Sequence, residues 1–434
     1  MDNGRRAFLR TTAGAGAAYA FIALKDNWGE FISNANSMAL DRSPEEMSGD
    51  KPFWFQVQQA YEVDRSMINL NNGGVAPSPR MVHDAMVRQL AITNNCPPRQ
   101  LWTLQDPQIE LVRVRLAKAF GCDPEEMAIT RNASESLQIC LNGIDLEPGD
   151  EILTTTQDYA RMLNTIKQRE QRDKIVMKQI KLPVPVESDD NVVALFESAI
   201  TPKTRAILMC HIVNITGEIL PVKRICEIAR KRGILTIIDG AHAFAHFVFD
   251  GGSLGADFYA CSLHKWLSAP IGTGFLHAKG RIKDLWPLTA PAEPRSGDIR
   301  KFEEIGTHPS APRMAIAGGT YFMRASARRK EERLRYLRNY WVDKLKDHDR
   351  VRIHTNLAPG HSCAIATVEI DGIKPVDMVG HLWAKHNILT TPIEHEDFRG
   401  IRVTPNTYTT LRELDLFVEA MDGMLKNGVA GKKS

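Results

Sequence analysis

The sequence predicts an α/β protein, with a mainly parallel β-sheet covered by helices and a smaller α+β domain at the C-terminal end. Two observations carry this expectation. Short apolar runs alternate with helical stretches from residue 127 to about residue 279: MAIT, EILTTT, KIVMKQIKL, RAILMCHI, LTIIDG, DFYACS and GTGFLHA. Strands buried on both faces read as continuous apolar runs, and their alternation with helices gives a parallel sheet. The second is a long helical stretch over residues 311–347, charged in its second half, which bridges to the C-terminal region. A chain of 434 residues, 43% of them apolar, can bury a substantial core in one large domain plus a smaller one. The expected division is residues 1–40 as an N-terminal signal, 41–310 as the large domain, and 311–434 as the bridging helix and small domain.

The first forty residues are set apart from the fold. MDNGRRAFLRTTAGAGAAYAFIAL places Arg5 and Arg6 before Phe8, Leu9 and a weakly hydrophobic Gly/Ala-rich stretch. That is the pattern of a twin-arginine (Tat) export signal, which implies passage through the Tat translocase to the periplasm. A disordered basic tail is the competing reading. Ser37-Met38-Ala39 supplies small residues for a cleavage site. Residues 41–50 are polar and are expected to be flexible. Residues 53–89 carry a helix, the turn LNNGGVAPSP and a second helix. The segment NNCPPRQLW that follows gives no readable code.

Composition excludes several classes. Fifty-five basic against 52 acidic residues leave a net charge of +3, too little to argue for a nucleic-acid partner. No apolar run reaches eighteen residues, so no membrane-spanning helix is expected. Seven cysteines show neither a CxxC pair nor metal-ligand spacing, so no metal is expected and most read as buried hydrophobes.

The chemistry concentrates at two strand ends. The run ILTII ends in Asp239, and the run DFYAC ends in Ser262-Leu263-His264-Lys265-Trp266. Ligands of parallel sheets bind at the carboxyl ends of strands, so Asp239 and Lys265 should meet in one crevice. Pyridoxal 5'-phosphate enzymes need that pair. The lysine bonds the aldehyde, and the carboxylate keeps the pyridine nitrogen protonated so that the ring accepts electrons. A helix-capping aspartate and a surface lysine are the alternative.

In DGAH, SLHKW and the TGFL strand, taken in that order, the chain resembles the class V aminotransferase family of fold-type I enzymes. LNNGGVAPSP, NITGEILPV and IRVTPNTYTT make it most similar to the isopenicillin N epimerase-like branch. The likeness runs from about residue 69 to the C-terminus. It implies a mainly parallel sheet of the seven-stranded type and a homodimer. Further motifs supply candidates. The turn Asn132-Ala133-Ser134 opens a helix whose N–H groups and hydroxyl suit a phosphate. The resemblance places the phosphate cradle there, giving Ala133 and Ser134, although Asn132 or Ser134 also explains the turn as an ordinary N-cap. Tyr159 is implied to stack on the cofactor ring, against the alternative of simple core packing. His242 is implied to bond the cofactor phenolate oxygen. Ser262 is a phosphate candidate. His264 either holds phosphate, orients the lysine, or is an ordinary buried histidine. His246 has no motif behind it. Thr307, in GTHPSAPRMAI, is implied to reach the phosphate of a neighbouring subunit, whereas Pro309 and Pro312 alone account for a loop entering a helix. Arg402 is implied to clamp the substrate α-carboxylate, a task suited to its planar fork, with Arg399 as the competing assignment.

These groups do not by themselves select a reaction. The stretch from residue 371 to the end has no cysteine, and Cys363 is expected in an apolar strand too far upstream, which argues against cysteine desulfuration. Epimerisation, transamination or decarboxylation at the Cα of an amino acid, or of an amino-acid unit on a peptide, remain. The export signal favours tailoring of a secreted peptide such as a siderophore. A non-catalytic protein that keeps the cofactor fold is the reading from a different class.

Overall fold

The computed structural model describes residues 42–429, apart from the side chains of 321–326. Arg5, Arg6 and the Ser37-Met38-Ala39 site lie outside the described residues. The stretch up to residue 50, expected to be flexible, is instead ordered from residue 43 on. Pro44–Ser48 is a short helix closed by a capping box between Ser43 and Glu46, and Met47 is buried beneath it. Ser43 and Glu46 satisfy each other's backbone N–H groups, and Met47 packs with Phe53 and Trp54.

The short strand β1 (Ile68–Asn69) leads into the large domain. The main sheet is formed by β2 (Met127–Thr130), β3 (Glu151–Thr155), β4 (Val176–Ile180), β5 (Thr204–Cys210), β6 (Leu235–Asp239), β7 (Phe258–Ser262) and β8 (Gly274–Ala278). Its order is β2-β8-β7-β6-β5-β3-β4. The five strands from β7 to β4 run parallel, and β8 is antiparallel to both β7 and β2. β2, β7 and β8 are buried throughout, as their unbroken apolar runs require, while the edge strand β4 is partly exposed. One apolar layer unites the helix Asp106–Phe120, Phe196 and the helix Val222–Lys231 with one face of the sheet. The helices Ala133–Gly143 and Ala160–Asp173 cover the other face.

Two features of this topology position the site. The chain adds β4 outside β3 and then returns to place β5 on the other side of β3, so the direction of winding reverses between β3 and β5. A crevice opens at the strand ends where such a reversal occurs. The antiparallel return of β8 also closes residues 263–273 into a compact loop over the end of β7. Leu263 N–H donates to Thr273 O at 3.0 Å, and Ala269 N–H donates to Leu263 O at 3.0 Å. Gly274 makes the closure feasible, because a Cβ there would stand 2.6 Å from Asn132 Cα and from Cys261 O.

The helix Ser310–Leu345 bridges to the smaller sheet. There β9 (Val351–Ile353), β10 (Ala366–Ile370), β12 (Thr391–Glu394) and β13 (Arg399–Val403) pair antiparallel in the order β12-β13-β10-β9, and β11 (Ile388–Leu389) pairs with β1. Leu337, Trp341 and Leu345 of the bridging helix pack with Val368, Ile401, Val403 and Phe417. Ile68 and Leu70 join this same core, so the N-terminal segment reaches across to the smaller domain. Among the described residues no helix is long and apolar enough to cross a membrane, and no group of His, Cys, Asp and Glu is arranged to hold a metal ion.

Candidate active site

Asp239 ends β6 and Lys265 follows the end of β7, two adjacent parallel strands. The structure brings them together, as the sequence led us to expect. Asp239 is buried, its Oδ1 accepts from Ala241 N–H at 2.9 Å, and burial pushes its carboxyl up to about 6 against the opposing pull of that hydrogen bond and of Lys265. Burial likewise brings the Lys265 amine down to about 8, with Asp239 resisting and Arg402 assisting. An amine poised near neutrality serves both as nucleophile and as base.

His242 stands on the turn after Asp239, and its Nε2 lies 3.0 Å from Lys265 Nζ. Ser262 Oγ accepts from Ala133 N–H at 3.0 Å, which joins the lysine strand to the N-terminus of the helix Ala133–Gly143. Asn132 caps that helix through Glu135 N–H, so the ordinary cap and the phosphate-type turn are the same structure. Ser134 is half-buried in the first turn. The His264 carbonyl accepts from Ala76 N–H of the LNNGGVAPSP turn, while its ring Nδ1 is buried without a partner and burial lowers the imidazole to about 4. Tyr159 precedes the helix Ala160–Asp173, is half-buried against the apolar layer of that face, and lies near enough to Arg402 to favour its charge.

Arg402 of β13 is buried, with Nη1 donating to Asn214 O and Nη2 to Asn71 Oδ1, both at 3.0 Å. Burial lowers the guanidinium to about 10, and no carboxylate among the described residues pairs with it. Arg399 is instead tied through Nε to Glu369 at 3.1 Å and is 44% exposed. Of the two arginines, Arg402 is thus the one without a carboxylate partner among the described residues. Thr307 is not brought to this cluster within one chain. It is exposed on the loop before the bridging helix, and among the described residues no hydrogen bond ties it to Lys265 or its neighbours. Cys363 lies in the segment before β10 rather than in a strand, and is buried.

Several groups escaped the sequence reading. Asp158 gathers Thr154 Oγ1, Thr155 N–H and Cys210 N–H on its carboxylate at 2.7–2.8 Å, locking the turn that presents Tyr159 between β3 and β5. Asn71 and Asn214 orient Arg402, and both sit in motifs that carried the family likeness without a residue role. His246, which had no motif behind it, stacks on Trp266 with ring centroids 3.6 Å apart and planes 9° from parallel.

The residues fit pyridoxal phosphate. A lysine amine and a buried carboxylate lie at adjacent strand ends, a helix N-terminus adjoins them, and His264 Nδ1, Arg402 Nε and Asn214 Oδ1 are buried without a partner among the described residues. Lys265 would bond the aldehyde, Asp239 would face the pyridine nitrogen, and Ala133, Ser134 and Ser262 would meet the phosphate. Fold and site together define a pyridoxal-phosphate-dependent enzyme of fold-type I. The aminotransferase class V model matches residues 68–391, and the chain belongs to that family. It is 30% identical over 397 residues to isopenicillin N epimerase of Amycolatopsis lactamdurans, spanning 86% of this chain and 99% of that protein. Isopenicillin N epimerase of Streptomyces clavuligerus is 28% identical over 395 residues, 86% of this chain and 98% of the relative. Among solved structures, a cysteine desulfurase of Escherichia coli superposes with a TM-score of 0.75 at 21% identity, covering 86% of this chain and 98% of the other. A variant of C-DES with glycine covalently linked to its PLP cofactor gives 0.72 at 20% identity, covering 82% and 96%.

Proposed function

We propose that this enzyme moves a proton at the Cα of an amino acid, or of an amino-acid unit carried on a peptide, with epimerisation as its outcome. The observation that carries the reading is the buried, unpaired Arg402 beside a lysine whose amine is poised near neutrality. The full-length likeness to two isopenicillin N epimerases supports it. Bound pyridoxal phosphate supplies the electron sink that weakens the bonds at Cα. The chain supplies the rest. Arg402, already oriented by Asn71 and Asn214, takes the α-carboxylate in its fork. Lys265 Nζ removes the Cα proton from its own face, and inversion then requires a proton delivered to the opposite face by a donor other than Lys265. No cysteine lies beyond residue 363 to act as a sulfur acceptor near the clamp. The decisive experiment incubates the loaded enzyme with amino acids and short peptides in deuterium oxide. Cα deuteration together with chiral inversion is expected. Formation of an oxo acid would point to transamination, and loss of carbon dioxide to decarboxylation.

The enzyme is further proposed to act after Tat export, on a secreted peptide of which a siderophore is one class. Changing Arg5 and Arg6 to lysine should then leave folded, cofactor-loaded enzyme in the cytoplasm, because the pathway reads the arginine pair. Recovery of that variant from the periplasm would refute this route.

A homodimer completes the reading, with Thr307 of one subunit serving the phosphate of the other. Mixed Thr307→Ala and Lys265→Ala chains should regain one intact site per heterodimer and retain more cofactor than the Thr307→Ala parent. Complementation no better than either parent would confine Thr307 to its own subunit's loop.

A further inference from the structure

The two ring nitrogens of His242 have neighbours of opposite kinds. Lys265 Nζ lies 3.0 Å from Nε2, and Trp266 Nε1 lies 3.4 Å from Nδ1. An indole N–H only donates, so Nδ1 is the accepting, unprotonated nitrogen. Burial, reinforced by the positive charge of Arg402, keeps the ring neutral by holding its basicity well below the ordinary value. A neutral imidazole carries one hydrogen, which therefore sits on Nε2 and points at Lys265 Nζ. An ammonium has no lone pair to receive it, whereas a free amine does.

Trp266 is in turn held by two neighbours, His246 and Lys330. His246 stacks flat on its indole. The orientation of His246 is also determined: Ala364 N–H donates to its Nε2 at 2.9 Å, so its Nδ1–H donates to His242 O at 2.8 Å. Lys330 Nζ, from the bridging helix, donates to the Trp266 carbonyl. Ala245, immediately before His246, adopts φ 63°, a left-handed conformation that alanine takes only under strain. The turn is thus held in a strained form that sets His246 against the indole.

We propose that Trp266, seated on His246, is a positioning residue that fixes the Nε2–H tautomer of His242 and so presents Lys265 as a free amine to the incoming cofactor aldehyde. The other groups facing the amine do not settle its state. Asp239 favours the ammonium, Arg402 favours the amine, and the Cys210 and Cys261 thiols stay neutral because burial raises them well above their ordinary range. His264 is also held neutral by burial. The His242 hydrogen bond is the directional contact among them, and it accepts only one form of lysine. Without the indole N–H the ring could turn over its hydrogen to Nδ1, and Nε2 would then accept from an ammonium. The proposal concerns the lysine as the cofactor meets it, and it stands whichever substrate the enzyme takes.

The test uses the full-length chain freed of cofactor. Competitive labelling with acetic anhydride across a pH series, read on the Lys265 peptide by mass spectrometry, gives the midpoint of the amine. Trp266→Phe keeps an aromatic ring on His246 but removes the N–H. It should raise that midpoint by about one unit, the worth of a single directional hydrogen bond, and slow cofactor capture near neutral pH to match. A purely structural role for the indole would lower the melting temperature and leave the midpoint in place, which would overturn the proposal. Should the variant not fold, the wild-type chain still decides. Long-range ¹H–¹⁵N correlation of histidine-labelled protein, with the His242 signals identified from His242→Gln, should show the hydrogen on Nε2. A hydrogen on Nδ1 of His242 would refute the proposal.

Discussion

Replacing Lys265 with alanine should lower turnover by ~10³-fold or more, since both the covalent anchor and the Cα base are lost with one side chain. The fold should survive, because among the described residues the side-chain hydrogen bond given up is the one to His242. Borohydride reduction of the wild-type enzyme should fix the cofactor to the peptide containing residue 265, and the variant should carry no such adduct. The informative competitor is Lys330. It is buried, burial brings its amine down to about 7, and it already reaches the Trp266 carbonyl. An adduct that appears on the Lys330 peptide in the variant would show a second amine able to enter the site. An adduct on that peptide in the wild type would reassign the anchor altogether. The neighbourhood argues for Lys265, because Asp239 and His242 adjoin it directly while the charged and titratable neighbour that influences Lys330 is Cys363.

What the sequence disclosed follows from which interactions are local. Strands β2, β3 and β5 to β8 were legible because each is an apolar run bounded by glycine or a helical stretch, and Asp239 and Lys265 stood out because they lie at or just past the ends of such runs. The direction of β8 was not, since an apolar run reads the same for a parallel or an antiparallel strand. Its reversal depends on the loop 263–273 and on Gly274, which can approach Asn132 where no other residue could. The capping box at Ser43 and Glu46 was local yet hidden by the polarity of its surroundings, because Met47 alone carries the buried face. Arg402 shows the opposite difficulty. Arg402, Asn71 and Asn214 come from three distant parts of the chain, so only the fold reveals that two of them orient the third. Choosing Arg402 over Arg399 likewise needed the partner Glu369, thirty residues upstream of Arg399. His246 had no motif because its role runs through a stacked ring and a backbone amide at residue 364, neither of which leaves a pattern in sequence.

Asp239→Asn should separate cofactor binding from catalysis. The asparagine amide oxygen can still accept from Ala241 N–H, so the turn leading to His242 keeps its anchor and the protein should fold and bind pyridoxal phosphate. What disappears is the charge. A carboxylate opposite the pyridine nitrogen, in a site where burial already pushes the Asp239 carboxyl up to about 6, favours a protonated nitrogen by several pK units. Each unit corresponds to about 1.4 kcal/mol in the barrier, or about tenfold in rate if the electron sink limits it, so turnover should fall by about two to four orders of magnitude. The same change also acts on Lys265. Asp239 is the main influence holding that amine up, against the burial that brings it to about 8, so its loss should move the lysine midpoint further down. This is the opposite sign to the shift expected for Trp266→Phe, and anhydride labelling can measure both on the same peptide. Near-wild-type turnover in Asp239→Asn would mean that the carboxylate only braces the turn at Ala241. A lysine midpoint that stays in place would mean that Asp239 and Lys265 do not share the field their positions at the ends of β6 and β7 imply.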